Sequence, residues 1–190
     1  MSTEDIELNI QIKSNDLRGN LAADLEDQTQ MDALTALNTA KQLDGLRSRL
    51  RSDIGQSTVQ LYSININGVL NQFTNEVAKL DYRIDALDPA TEQSQIERLV
   101  IQKDQTTQEY QDLLDMMYRQ KHGLEDSIKN MQQDANLADE SFGNKSKQSL
   151  SLQQKSHHYN NVTNNSRLEV VNLTQRKNEI IDHIAEPETL

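Results

Sequence analysis

The sequence contains no cysteine, so it has neither a disulfide framework nor a thiol ligand for a metal. Only 2 prolines and 6 glycines occur among its 190 residues, and secondary structure therefore meets few obligatory breaks. Aromatic residues make up 4% of the chain, hydrophobic residues 35%, and the mean hydropathy is −0.78. This composition is too polar for a large buried core. It favours slim coiled-coil layers or burial against neighbouring subunits.

Positive charge is scarce as well. The net charge is −11 and the sequence pI is about 4.7, which argues against nucleic acid as a partner. No apolar run approaches the roughly 18 residues of a membrane span, so we expect none. The first residues lack a basic region followed by an apolar core, and we expect no secretory signal peptide. The expected location is a virion or the cytoplasm, or outside the cell by a signal-independent route.

Candidate residues for chemistry are few. His157 and His158 are adjacent, so on a helix they diverge by about 100° and cannot easily share one metal ion. His122 and His183 stand apart from them. No glycine-rich phosphate loop and no ordered nucleophile, base and acid are present. The sequence therefore predicts no catalytic, cofactor-binding or metal-binding residue, no small-molecule substrate, and a protein that is not an enzyme.

A mirror in hydrophobic spacing dominates residues 66–117. Apolar residues rise to a turn in steps of 4 and 3. The second arm repeats the alternation in steps of 3 and 4, with Lys103 and Thr106 at two of its positions, so that paired residue numbers sum to 183. An antiparallel helical hairpin needs this arrangement, because each seam residue then meets a partner at the same height. The predicted hairpin core is Ile66, Leu70, Phe73, Val77, Leu80, Ile84, Leu87, Ile96, Leu99, Tyr110, Leu113 and Met117.

The turn between the two arms is predicted at residues 85–91. Asp88 precedes Pro89, which suits the first position of a helix because no N–H bond is lost there. The Asp88 carboxylate is expected to cap the second helix. A connection this short makes the two helices antiparallel neighbours.

The predicted fold is all-α: an elongated antiparallel helical hairpin, coiled-coil-like, with an additional C-terminal helix and an extended N-terminal arm. The hairpin spans residues 21–138 and is expected to bend near Gly55 and Gly68. Turn-forming residues around Phe142 predict a connector over 139–149. The C-terminal helix follows over 150–186 and is closed by Pro187.

The acidic N-terminal arm, residues 1–20, contains a strict alternation of apolar and polar side chains, which is the period of a half-buried strand. A lone strand cannot satisfy its own edges, so we expect it to pair with another chain. The alternatives are an arm that lies extended along a helix groove and a fraying terminus. The predicted assembly interface of the arm is Ile6, Leu8, Ile10 and Ile12.

The proline-containing turn is similar in kind to that of the needle and filament proteins of type III secretion. This resemblance covers only the turn, and it assigns the chain to no family. Bacteriophage virion proteins of similar size are also polar, cysteine-free and helical. We expect a structural subunit of a larger symmetric assembly, a virion component or a secretion-type filament, with copies of itself and other assembly proteins as partners. The alternative is a cytosolic helical-hairpin adaptor or chaperone for a secretion or assembly system.

Overall fold

The computed structural model describes residues 2–185, and its ordered elements are three helices. Helix α1 covers Thr3–Ser63, α2 covers Ile66–Asp85 and α3 covers Gln93–Ala185. Within these described residues there is no strand, and the chain turns back once, between α2 and α3. The prediction of an all-α antiparallel helical hairpin is confirmed. The predicted stop at Pro187 and the last residue of the predicted C-terminal helix, Glu186, lie outside the described residues.

The chain forms two compact units, and α1 and α3 each contribute to both. The terminal unit contains the described residues up to Gly45 and those from Ala138 onward, and the turn unit is Leu46–Leu137. In the terminal unit α1 packs against the C-terminal part of α3. In the turn unit the end of α1 and all of α2 pack against the N-terminal part of α3.

The N-terminal segment is helical, and the prediction of an extended arm over residues 1–20 is wrong. The Ser2 hydroxyl accepts a hydrogen bond from the Asp5 N–H at 3.2 Å, and the Asp5 carboxylate accepts one from the Ser2 N–H at 3.0 Å. This reciprocal capping box satisfies two backbone donors and starts α1 at Thr3. Four alternating aliphatics do not exclude a helix, because residues four apart share a helical face.

The predicted connector at 139–149 is also wrong, because α3 runs through it without a break. Phe142 is half-buried and Ser149 is buried in the terminal unit. Packing against α1 therefore outweighs the weak helix propensity of the local Gly, Asn and Ser residues. The C-terminal helix predicted over 150–186 is the continuation of α3.

Helix α1 ends at Ser63, and α2 begins at Ile66, so that two residues separate them. The Asn65 side chain caps α2 by accepting a hydrogen bond from the Gly68 N–H at 2.9 Å. A Cβ atom at Gly68 would clash with the Asn65 side-chain nitrogen, so glycine lets the cap approach. The break lies near one of the two expected bends, whereas α1 passes through Gly55 uninterrupted.

The turn region differs in one detail from its prediction. The Asp88 carboxylate accepts a hydrogen bond from the Ala90 N–H at 2.9 Å, and the Glu92 N–H bonds to the Asp88 carbonyl at 2.8 Å. Asp88 therefore caps a separate single turn that contains Pro89. Helix α3 starts only at Gln93, because the Glu92 carbonyl accepts its first backbone bonds, from the Gln95 N–H at 3.0 Å and the Ile96 N–H at 3.1 Å. The prediction that Asp88 caps α3 itself is wrong, because the turn that Asp88 caps ends before α3 begins.

Candidate assembly surfaces

The seam of the terminal unit is built from small residues. The buried seam positions of α1 are Gly19, Ala22, Thr29, Ala33, Ala36 and Ala40, preceded by Leu8. Those of α3 are Ala138, Ser149, Ser156, Thr163, Ser166 and Leu173. A Cβ atom at Gly19 would lie 3.3 Å from the Ser166 Cβ atom, tighter than most such contacts. The two backbones therefore approach closely, and the seam leaves little room for larger side chains.

Polar contacts fix the register of this seam. The buried Ser149 hydroxyl donates to the Ala33 carbonyl at 3.1 Å, and the Asn160 amide donates to the Glu26 carboxylate at 2.9 Å. Nearer the start of α1, the Lys177 ammonium donates to the Asn9 side-chain oxygen at 2.7 Å. A slip of α1 along α3 would break these bonds and leave the Ser149 hydroxyl buried without its partner.

Six large aliphatic residues of α1 in the same unit face outward, whereas Leu8 is buried and Ile12, Leu37 and Leu43 are half-buried. Each of the six lies two residues from a buried seam residue, which turns it by about 200° to the opposite side of the helix. The exposed fractions are 63% for Ile10, 71% for Leu17, 62% for Leu21 and 66% for Met31. Ile6 and Leu34 are exposed at the two ends of the same face. We call these residues the outer stripe: Ile6, Ile10, Leu17, Leu21, Met31 and Leu34.

Comparison with protein families, curated proteins and solved structures found no significant match. The function must therefore be inferred from the surface of this molecule, and the outer stripe is its first candidate surface.

The four residues of the predicted N-terminal interface divide between the two sides of α1. Leu8 is buried and Ile12 half-buried on the seam side, whereas Ile6 and Ile10 are exposed. A strand would have placed all four on one face, but helical geometry places only every third or fourth residue together. Leu8 and Ile12 are therefore removed from the predicted interface, and Ile6 and Ile10 become part of the outer stripe.

The predicted hairpin core lies along the seam of the turn unit. Leu80 and Leu99 are buried, and the other predicted members except Leu113 are half-buried. Leu113 is exposed, and Leu114 is buried in its place. Neighbours on a helix diverge by about 100°, so these two leucines flank the seam on either side. Hydrophobic spacing alone could not tell which of the two is buried.

Side-chain contacts cross the turn-unit seam beside this core. The Phe73 and Tyr110 rings have centroids 5.3 Å apart, and the Tyr110 hydroxyl donates to the Glu76 carboxylate at 2.9 Å. This hydrogen bond raises the pKa of Tyr110 above its usual range. Lys103 donates to Asp81 at 2.6 Å, and that bond raises the pKa of Lys103. These contacts hold the arms in register and offer no cleft.

Open grooves lie beside the seams. One of about 540 Å³ runs along the terminal unit between Glu26 and His157, and one of about 420 Å³ lies at the break before α2. Tyr62 and Tyr118 line the second groove. Among residues 2–185, no group of three or more His, Cys, Asp or Glu side chains lies close enough to hold a metal ion. None of the helices described is both long and apolar enough to cross a membrane.

Hydrophobic spacing missed both the terminal-unit seam and the outer stripe. The seam residues are mostly Ala, Gly, Ser and Thr, which do not register as apolar positions, although they recur at helical spacing. The periodicity of small residues is the signal that would have found this seam. Once the seam is known, the large aliphatics of α1 can be seen to lie on its far side.

Proposed function

We propose that the protein is a non-enzymatic structural subunit of a larger symmetric assembly, in which α1 contacts a neighbouring chain through the outer stripe. One observation carries the proposal. In the terminal unit, α1 buries small residues at every fully buried position except Leu8, and it exposes the six large aliphatic residues of the outer stripe. This is the reverse of the pattern expected for a helix that packs on a single partner, which buries its largest apolar side chains.

Leaving the outer stripe in water forgoes the free energy that burying its side chains would provide. Fully burying one large aliphatic side chain stabilises by about 1.5–3 kcal/mol. Six such residues share one face over about eight turns of α1, rather than standing singly as exposed aliphatics usually do. An apolar stripe opposite a packed seam is what a helix needs to contact two partners at once. The first partner is α3, and the second lies outside this chain.

The composition supports many contacts rather than one binding cleft. At 35% hydrophobic residues the chain has little apolar surface, yet a large share of its bulky residues is exposed. We propose a bacteriophage virion or a secretion-type filament as the kind of assembly, because both are built from repeated helical subunits. Copies of this chain and other proteins of the same assembly are the proposed partners.

Mass photometry over a range of protein concentrations tests this proposal. An assembly subunit forms particles of one fixed order above the dimer, whereas the adaptor or chaperone alternative stays monomeric or dimeric until a partner is added. A chain that remains monomeric at every concentration would refute the proposal.

A matched pair of double variants tests the role of the stripe. Leu17→Gln with Met31→Gln should lower the assembly order while circular dichroism shows unchanged helix content. The control is Tyr82→Gln with Ile101→Gln, which removes apolar side chains of comparable exposure from the turn unit. Equal loss of assembly in both double variants would contradict a specific role for the outer stripe.

A further inference from the structure

We propose that the outer stripe pairs with the outer stripe of a second copy, antiparallel, about a two-fold axis near Asn20. The inference rests on the proposed function and names the partner and geometry of one of its contacts. Asn20 lies midway along the stripe, at the mean position of the outermost residues Ile6 and Leu34. An isologous contact of this kind requires that the face be complementary to itself.

Self-complementarity can be read from pairs of residue numbers with a fixed sum. In an antiparallel coiled coil, the central pairs of two identical helices share one sum, and the pairs on each edge share a sum that differs from it by two. With the axis near Asn20 the central pairs sum to 38, so that Leu17 of one copy faces Leu21 of the other. On the edge that contains Asn20 the pairs sum to 40, and Ile6 faces Leu34 there. Symmetry makes each contact twice. The remaining stripe residues then lie within the contact, Ile10 across from the uncharged part of Gln28 and Met31 across from the methylene groups of Glu7.

Charge supports the same alignment. Lys13 and Asp27 are both exposed, flank the stripe on one edge and lie equidistant from the axis. Within the part of the chain that the structure describes, neither forms an ion pair. In the antiparallel dimer each Lys13 meets the partner's Asp27, which gives two opposite-charge pairs. Charge pairs at these flanking positions of a coiled coil select the partner and its orientation.

The other edge of the contact is less favourable. There Arg18 approaches its own symmetry mate, and Glu4 approaches Asp32. Two charges on this edge have opposite charges nearby in the same chain. The Arg176 guanidinium lies 3.4 Å from the Glu4 carboxylate, and Arg18 lines a groove together with Glu169. These neighbours reduce the repulsion on that edge.

Two alternative pairings are disfavoured by the sequence of the stripe. In a parallel, in-register dimer Asp24 would face Asp24 in the middle of the contact. An antiparallel pairing shifted by one heptad toward the N-terminus would set Glu7 against Asp24 and leave Met31 and Leu34 without a partner. The alignment about Asn20 avoids these like-charge contacts and uses the whole stripe.

Cysteine cross-linking tests the geometry directly, because the chain has no cysteine of its own. Asn20→Cys should give a covalent dimer in high yield with a short bis-maleimide. Asn38→Cys is the matched control, an exposed asparagine on the same helix. Its two copies would lie about 54 Å apart in the antiparallel dimer, at 1.5 Å per residue, and should not be linked. Efficient linking of both variants would show a parallel arrangement and overturn the proposal.

A charge swap tests the pairing independently. Lys13→Glu or Asp27→Lys alone places two like-charge pairs across the contact and should weaken the dimer about tenfold. The double variant restores opposite charges and should recover the original affinity at low salt. Sedimentation velocity measures the dissociation constants, and failure of the double variant to recover would refute the Lys13–Asp27 pairing.

The outcomes separate this inference from the proposed function. Large particles without an Asn20→Cys cross-link would overturn the two-fold contact while leaving the assembly subunit intact. A cross-linked species that never exceeds a dimer would uphold the contact and overturn the larger assembly. A chain that stays monomeric at every concentration would overturn both.

Discussion

Replacing glycines of α1 tests how closely its backbone approaches α3. Gly45→Ala should stabilise the protein by about 1 kcal/mol, because a Cβ atom there meets nothing within 4 Å and alanine is the better helix former. Gly19→Ala gains the same propensity, but its Cβ atom meets the Ser166 Cβ atom at 3.3 Å. The net effect at Gly19 should therefore be close to zero or unfavourable.

Substituting leucine instead of alanine at the same two positions should give a larger difference in stability. Gly45→Leu should keep most of the propensity gain, since the site is open. Gly19→Leu forces a large side chain between the helices, and overpacking of this kind costs about 1–3 kcal/mol. The two leucine variants should therefore differ by about 2–4 kcal/mol in the free energy of unfolding. This corresponds to a difference on the order of 10 °C in Tm for a chain of this size.

Thermal unfolding followed by circular dichroism, at one fixed protein concentration, measures the difference. The concentration must be fixed because association would raise Tm by mass action. If Gly19→Leu melts at the same temperature as Gly45→Leu, the close approach at Gly19 does not exist in solution.

Other predictions concern the turn unit and the start of α1. Leu99→Asp should destabilise by on the order of 3 kcal/mol because it buries an unpaired charge, whereas Val100→Asp, at the exposed neighbouring position, should have little effect in chemical denaturation. Glu76→Gln should lower the pKa of Tyr110 toward its ordinary value, measured by tyrosinate absorbance with the remaining tyrosines replaced by Phe. The Ser2 N–H lowers the pKa of Asp5, so the stabilisation of the first turn should be present above the ordinary carboxyl range and be lost as the pH falls through that lowered pKa. Amide exchange in the first turn should show this loss, and its absence would contradict the capping box.

The hairpin could be predicted from the sequence because its seam between Ile66 and Met117 uses large apolar residues whose spacing is easy to read. The terminal unit could not, because its seam is formed by residues such as Ala33 and Ser149. These contribute little to hydrophobic patterning and pack through backbone proximity and hydrogen bonds. Packing of this kind depends on a partner that lies more than a hundred residues away in the chain.

The sequence identified the candidate surface only in part. The alternation at Ile6, Leu8, Ile10 and Ile12 indicates an interface in the N-terminal segment, but the strand period assigned all four residues to one face, whereas the helix divides them between two. The capping pair Ser2 and Asp5 is the local signal for a helix, and it competes with four alternating residues that are equally typical of a strand.

The break between α1 and α2 has a consequence for how the length of this chain can change. The half-buried seam residues of α1 that lead up to the break advance in steps of 4, 3 and 4, and they are Leu50, Ile54, Ser57 and Leu61. The same steps would next reach positions 64 and 68. In α2 the seam instead resumes with Ile66 and Leu70, two residues later than those steps predict.

In an unbroken helix a slip of two residues would turn the following side chains by about 200°, to the wrong side. The two residues between the helices absorb this slip, so the phase of α2 does not depend on that of α1. Insertions or deletions of one or two residues should therefore be tolerated next to Ile64. The same change opposite, in the continuous α3 near Lys121, would turn every later seam residue away from its partner. The break is the position at which this hairpin can gain or lose residues and still close.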